Sequence, residues 1–330
     1  MALQIAVIGG GSWGTTVAHL VAHNAATKLW CRDERVAKSI SQKHRNTQYL
    51  GKYKLHPNLT ASNDLEEVVS NAQIVLMAIP SQSFRSVFRN LKEFLKPDVP
   101  VISLTKGLEQ STQLTMTQII ETESPNRPTG VLTGPNLAAE VLAGFATASV
   151  VATENKSLQV EMAKIFSTDT FRVYTSSDVL GCELGGAFKN VLALAVGMTT
   201  GLGTGDNTRA AVVTRGLAEL ARLGSAMGGK PETFSGLAGL GDLVATCFSS
   251  QSRNRYVGEQ LGQGRQIQEV LSEMSNVAEG VNTAPVVASL AKEHNVETPI
   301  CDQVAAVVKG KTTAMDAYDV LLLREQKSEN

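Results

Sequence analysis

Ala6-Val7-Ile8-Gly9-Gly10-Gly11-Ser12-Trp13-Gly14-Thr15-Thr16-Val17-Ala18 is the stretch on which the reading of this chain turns. An apolar run ends in three glycines, and a pattern with helical spacing follows as far as His23. Gly9-x-Gly11-x-x-Gly14 therefore stands between a predicted strand and a predicted helix. Gly9 permits the tight turn, Gly11 lets the backbone approach a pyrophosphate, and Gly14 lets the helix pack close to the strand. The N-terminus of that helix faces the anion. Dinucleotide binding is the functional reading; the alternative is a strand–helix turn that binds nothing. Gly10-x-Ser12-x-Gly14 also fits a hydrolase nucleophile elbow, but such an elbow emerges from an established sheet, and only one strand precedes this one.

Outward from that turn, short apolar runs alternate with helical patterns. Predicted strands are Gln4–Ile8, Lys28–Trp30, Ile74–Ile79, Val101–Leu104, Val131–Thr133, Ala148–Ala152 and Phe171–Tyr174, with helices such as Trp13–His23, Phe84–Leu95 and Leu158–Phe166 between them. Strands that are apolar throughout and separated by helices predict a parallel sheet covered on both faces, a doubly wound α/β Rossmann-type fold. Beyond Ser177 the strand-like runs give way to long Ala/Leu-rich helical stretches. Gly201–Asp206 and Ser235–Asp242 read as glycine-rich loops between them, and the tail from Arg324 as frayed. The expected organisation is an α/β dinucleotide-binding domain, 1–178, followed by an all-α substrate-binding domain, 179–330.

Composition narrows the partners. Thirty Lys plus Arg against 31 Asp plus Glu leave a net charge of −1, so no electrostatic footprint for nucleic acid or an anionic membrane is expected. Four widely spaced cysteines, with no C-x-x-C, fit reduced thiols in a cytoplasmic protein. His19 and His23 stand at the i, i+4 spacing of zinc ligands without the adjacent glutamate, and no metal is expected. The N-terminus runs straight into a strand rather than a signal peptide. Ile74–Pro80 and Val191–Met198, the most apolar stretches, are too short to span a bilayer, so no stable membrane insertion is expected.

Several polar residues are candidates for chemistry. Arg32 occupies the end of the second strand, where an acidic residue would bond the ribose of NAD; a guanidinium can instead pair with a 2′-phosphate. Lys106, in Ser103-Leu104-Thr105-Lys106-Gly107, follows a strand at the edge where doubly wound sheets place ligand contacts. Lys189 opens an otherwise apolar helix. Desolvated near a second cation it would serve as a general base; otherwise it is a helix lysine with a snorkelling stem. Gly236, Gly239 and Gly241 precede Asp242, and Ser252-Arg253-Asn254 come ten residues later. That cluster suits a small phosphate ester, or is a solvated interhelical loop.

Taken together these segments resemble the bacterial NAD(P)-dependent glycerol-3-phosphate dehydrogenases. The matching blocks are 9–18, 29–34, 103–109, 132–141, 185–190, 236–255 and 276–284, in family order. The resemblance implies that Lys189 is the proton acceptor. It implies substrate contacts at Lys106, Gly134, Asn136, Asp242, Ser252, Arg253 and Asn254. Cofactor contacts are implied at Ser12, Trp13, Arg32, Lys106, Ala138, Arg253, Val277 and Glu279, beside Gly9, Gly11 and Gly14. One departure is visible: Asn136-Leu137-Ala138 stands where the family usually has Ser-Phe-Ala.

On that resemblance the chain interconverts sn-glycerol 3-phosphate and dihydroxyacetone phosphate with NADP or NAD, with NADPH preferred because of Arg32, and feeds glycerophospholipid synthesis. The nicotinamide would lie in a cleft between the two domains, and Asp242 would orient Lys189 or the substrate hydroxyls. The Ala/Leu-rich helices and the family allow a homodimer. The competing readings are a related β-hydroxyacid or sugar-acid dehydrogenase and a non-catalytic dinucleotide-sensing module.

Overall fold

Ala6, Val7 and Ile8 have no exposed surface, which places the segment Gln4–Ile8, β1, at the centre of a sheet rather than at its edge. The computed structural model describes residues 3–274 and 277–325. The expected fraying of 326–330 and Asn276 of the matched block lie outside the described residues.

β1 is followed by α1 (Ser12–Val21), β2 (Ala26–Trp30), α2 (Glu34–Lys43), β3 (Thr60–Ser62), α3 (Leu65–Val69) and β4 (Ile74–Met77). Next come α4 (Ser81–Lys92), β5 (Val101–Ser103), α5 (Met116–Glu123), β6 (Thr129–Thr133) and α6 (Ala138–Leu142). The α/β part closes with β7 (Thr147–Ala152), α7 (Lys156–Phe166) and β8 (Phe171–Ser176). The eight strands lie in the order β3-β2-β1-β4-β5-β6-β7-β8. Apolar cores cover both faces. Val7, Leu20, Leu29 and Phe166 belong to one, and Ile8, Met77, Phe84 and Phe88 to the other.

The expected parallel sheet needs one correction: β6 and β7 pair antiparallel, through Val131↔Ala152 and Thr133↔Val150. Gly134, at φ +128°, turns the chain immediately after β6. The connection then holds only the five-residue α6, which advances about 8 Å and cannot carry the chain back to the opposite edge. Strand β3 has no counterpart among the predicted strands; of its three residues, Thr-Ala-Ser, only the central one is apolar and none is fully buried.

The remaining elements are helices: α8 (Val179–Gly201), α9 (Asp206–Ala226), α10 (Pro231–Phe234), α11 (Asp242–Phe248), α12 (Arg253–Gly262), α13 (Ile267–Glu273), α14 (Glu279–Glu293), α15 (Pro299–Val308) and α16 (Ala314–Leu322). Backbone packing divides the chain into two units, Met1–Glu109 with Leu114–Glu183, and Gln110–Gln113 with Leu184–Asn330. Gln110 and Gln113 tie their short segment to α14, donating to Asn282 O at 3.1 Å and Ser289 Oγ at 3.2 Å.

Two further expectations change here. Ser235–Asp242 is not a loop: Leu237–Gly241 form a π-helical turn that runs into α11. Gly239 is required there, because a Cβ would lie 2.1 Å from Phe234 O. The reading of Val191–Met198 as too short to cross a membrane took the apolar run alone. The helix around it has 23 residues, and an 18-residue stretch of it has a mean hydropathy of 1.5, enough by length and composition, yet 89% of that stretch is buried inside the protein. That is the pattern of a core helix.

His19 lies on α1 and His23 just past its end. With His56 they form a cluster whose rings approach to 5.1 Å (His19–His23) and 4.4 Å (His23–His56). The His56 backbone N–H donates to His19 Nδ1 at 2.9 Å, so the neutral ring carries its proton on Nε2. Burial first, then His23 and His56, lower the His19 pKa from 6.5 to about 4. Between those values the unfolded chain binds a proton that the folded chain does not, so stability falls as pH drops through the window. The span corresponds to about 3 kcal/mol at most. Urea midpoints at pH 7 and pH 4.5 should show a clearly smaller acid loss for His19→Gln than for wild type; equal losses would remove His19 from the account.

Candidate functional site

In the α/β unit the site begins at the turn between β1 and α1. Gly9 takes φ +118°, a conformation L side chains rarely adopt. A Cβ on Gly14 would lie 1.9 Å from Gly9 O, so only glycine allows α1 to dock on the end of β1. A Cβ on Gly11, by contrast, would meet nothing within 4 Å. Gly11 is also the N-cap of α1 and supplies no side chain to its first N–H groups. An open, uncapped helix start with room for close backbone approach fits a dinucleotide diphosphate. Ser12 and Trp13 begin that helix, and the buried Trp13 Nε1 has no partner in the protein. Ala138 sits beside the same helix, its carbonyl 3.4 Å from Thr16 Oγ1.

Arg32 is exposed between β2 and α2. The acidic residue next to it, Asp33, is committed elsewhere. Its carboxylate caps α2 by accepting from Arg35 N at 2.8 Å and also pairs with Arg35 Nη2 at 2.8 Å.

Lys106 leaves the C-terminal end of β5, and Gly134 and Asn136 leave that of β6. The structure brings these three predicted substrate contacts together: Lys106 Nζ donates to Gly134 O at 2.9 Å and to Asn136 Oδ1 at 2.6 Å. Asn136 Nδ2 is buried and has no partner in the protein. An ammonium beside an unused amide donor is suited to an oxygen-rich ligand. The segment carrying Lys106 is anchored at both ends. Thr105 Oγ1 donates to Ile79 O at 2.6 Å, and Arg85 grips Glu109 through Nε at 2.9 Å and Nη2 at 2.6 Å. Arg85 Nη1 also reaches Glu123 at 2.6 Å. Arg89 first, then Arg85, hold the Glu123 carboxyl down at about 2 against the effect of burial.

In the helical unit, Lys189 and Asp242 form a buried ion pair, Nζ–Oδ1 2.8 Å. The expected lysine, desolvated beside a second cation, is thus found with a carboxylate against it. The reason is packing: a Cβ on Gly185 would lie 2.8 Å from Ala238 O, so α8 meets the π turn there. One helical turn further on, Lys189 and Asp242 face each other. Thr246, also one turn beyond Asp242, completes the group; its hydroxyl accepts from Lys189 Nζ at 2.5 Å and lies 3.3 Å from Asp242 Oδ1. Sequence reading missed Thr246, although the i, i+4 spacing from Asp242 on a helix was available.

Close packing also places α12. A Cβ on Gly197 would lie 2.1 Å from Arg255 O, and one on Gly258 would lie 2.1 Å from Leu194 O. Ser252 caps that helix, accepting from Arg255 N at 3.2 Å. Arg253 is exposed at its first turn; atoms crowding its guanidinium lower its pKa, and Glu279 at the start of α14 opposes them. Asn254 is a cross-link rather than a free contact. Its Nδ2 donates to Asn190 Oδ1 at 2.8 Å, and its Oδ1 accepts from Gly280 N at 2.9 Å. Val277 is exposed.

Breaking one side of a buried ion pair costs about 3–5 kcal/mol, whereas replacing both partners is far milder. Lys189→Met and Asp242→Leu should each lower the denaturant midpoint strongly, and the double variant should lose clearly less than their sum. Additive losses would mean the pair is not coupled in solution.

Residues 4–159 match the family NAD-dependent glycerol-3-phosphate dehydrogenase N-terminus, and residues 178–319 match the NAD-dependent glycerol-3-phosphate dehydrogenase C-terminus. A glycerol-3-phosphate dehydrogenase [NAD(P)+] 2 of Sphingopyxis alaskensis is 52% identical, over 98% of this chain and 97% of its own length. One from Mycobacterium avium is 48% identical, over 97% of this chain and 94% of its own. Among solved structures, the crystal structure of glycerol-3-phosphate dehydrogenase from Coxiella burnetii superposes with a TM-score of 0.93 at 36% identity, covering 98% of this chain and 99% of that one. With both halves matched in order and relatives near half identity over the full length, the chain belongs to the NAD-dependent glycerol-3-phosphate dehydrogenase family.

Proposed function

We propose that this chain is an NAD(P)-dependent oxidoreductase that interconverts sn-glycerol 3-phosphate and dihydroxyacetone phosphate, with Lys189 as its acid and base. The observation that carries the assignment is the buried ammonium of Lys189 held by Asp242 at 2.8 Å and by Thr246 at 2.5 Å. An ammonium has three hydrogens, and two are directed at these partners. The third is the one a substrate oxygen would take.

A dinucleotide held at the β1–α1 turn would supply hydride chemistry at C2 of the substrate. Lys189 gives its proton to the oxygen at C2 in reduction, and in oxidation it withdraws that proton from the alcohol. Asp242, fixed on α11, keeps the ammonium aimed, and Thr246 limits its swing. Lys106 and Asn136, preset together, supply donors to substrate oxygens or to the cofactor. Arg253, at the first turn of α12, offers a planar fork and a helix start for the phosphate. Asn254 fixes that helix start against α8 and α14. A small phosphorylated substrate suits these donors; supply of glycerophospholipid synthesis, a cytoplasmic setting and a homodimer belong to the same reading through the family resemblance.

Lys189→Met should lower turnover about 10²–10⁴-fold, the usual share of a positioned acid and base. The assay follows nicotinamide absorbance with dihydroxyacetone phosphate, and the unfolding curve of each sample shows that folded protein was measured. Near wild-type turnover by the folded variant would remove the role.

Cofactor choice rests on Arg32 and on the commitment of Asp33 to its cap. Arg32→Ala should weaken NADPH by about 1–3 kcal/mol, the size of a charge-assisted contact, and NADH by less. Equal weakening of both would show that Arg32 does not read the 2′-phosphate.

A further inference from the structure

Asn46 lies between α2 and β3, with none of its surface exposed. His44 ends α2 in the left-handed conformation, φ 48°, and the chain turns back towards the β1–α1 turn. The whole amide of Asn46 is used. Its Nδ2 donates to Gly10 O at 2.8 Å and to Thr15 Oγ1 at 2.8 Å, while its Oδ1 accepts from Tyr49 N at 3.3 Å. Thr15 Oγ1 in turn donates to the same Gly10 carbonyl at 3.3 Å.

The Gly10 carbonyl is therefore held from two sides. In a trans peptide the C=O and the following N–H point in opposite directions, and the described residues contain no cis bond. Drawing Gly10 O towards Asn46 aims the Gly11 N–H the other way, where Gly11 faces open space. Cys31 closes another side, since a Cβ on Gly10 would come within 2.5 Å of its Sγ. A run of three glycines would otherwise sample many peptide orientations, and ordering it on binding would weaken affinity.

We propose that Asn46 is a positioning residue that presets the Gly10–Gly11 peptide for the diphosphate of the dinucleotide, an inference that rests on the dinucleotide reading above. Asn46 touches no part of the ligand; it acts through the loop. The test compares two ligands on wild type and Asn46→Leu, which keeps side-chain bulk without polar atoms. NADPH carries the diphosphate, whereas 2′-AMP carries adenine, ribose and a 2′-phosphate without it.

Calorimetric titration should show NADPH weakened about 10- to 100-fold, the factor for a lost hydrogen bond to a charged group, with 2′-AMP nearly unchanged. Equal weakening of both ligands would mean a general loosening of the fold and would overturn the proposal, as would no weakening of either. If Asn46→Leu fails to fold, Asn46→Ser, which keeps one short donor, is read in the same way with a smaller NADPH loss. Wild type that binds neither ligand would instead overturn the dinucleotide reading itself.

Discussion

Backbone against backbone at glycine is the constraint from which the rest follows. At Gly14 the gap to Gly9 O would leave an added Cβ only 1.9 Å away, so α1 starts hard against the end of the central strand. That approach fixes where the first N–H groups of α1 emerge and leaves the space over Gly11 open. The same device recurs in the helical unit. Gly185 admits the π turn to α8, and Gly197 and Gly258 admit α12. Each contact is made by groups with no chemistry of their own. Each fixes, about one helical turn away, a group that has some.

The buried charges depend on that geometry. A carboxylate and an ammonium taken out of water are stabilised only when the pairing distance is short and other donors and acceptors are satisfied. Gly185 sets the spacing of α8 and α11, and Thr246 adds the extra hydrogen bond between Lys189 and Asp242. In the α/β unit, Lys106 is handled differently. It is half-buried, its partners are a backbone carbonyl and an amide oxygen, and its segment is steadied by the Arg85 network.

Much of this was legible in the sequence because local pattern and burial agree. β1 reads as an apolar run and is buried as one; Gly9-x-Gly11-x-x-Gly14 reads as a strand–helix turn and is one. What failed was wherever long-range packing overrode the local pattern. The glycine-rich stretch from 236 to 241 looks like a loop, yet Leu237–Gly241 form a π turn, in which the Phe234 backbone leaves no room for a side chain at Gly239. The antiparallel β7 reads like any parallel strand, since a buried strand carries no mark of its direction. Thr246 and Asn46 were missed for a related reason. Both residues meet partners far away in sequence, Thr246 meeting Lys189 57 residues away and Asn46 meeting Gly10 36 residues away.

Asn46 and Asn254 show how such residues contribute without touching a ligand. Each is a buried amide with both donor and acceptor committed, and each joins elements that the chain order keeps apart. An amide is suited to this because one side chain can donate and accept simultaneously in fixed directions. A carboxylate at the same place could not donate, and an alkyl group would leave the partner carbonyl or N–H unsatisfied. The groups that would meet substrate and cofactor can then keep unspent hydrogens, as Asn136 Nδ2 does. Their orientation is already fixed by neighbours whose own hydrogen bonds are complete.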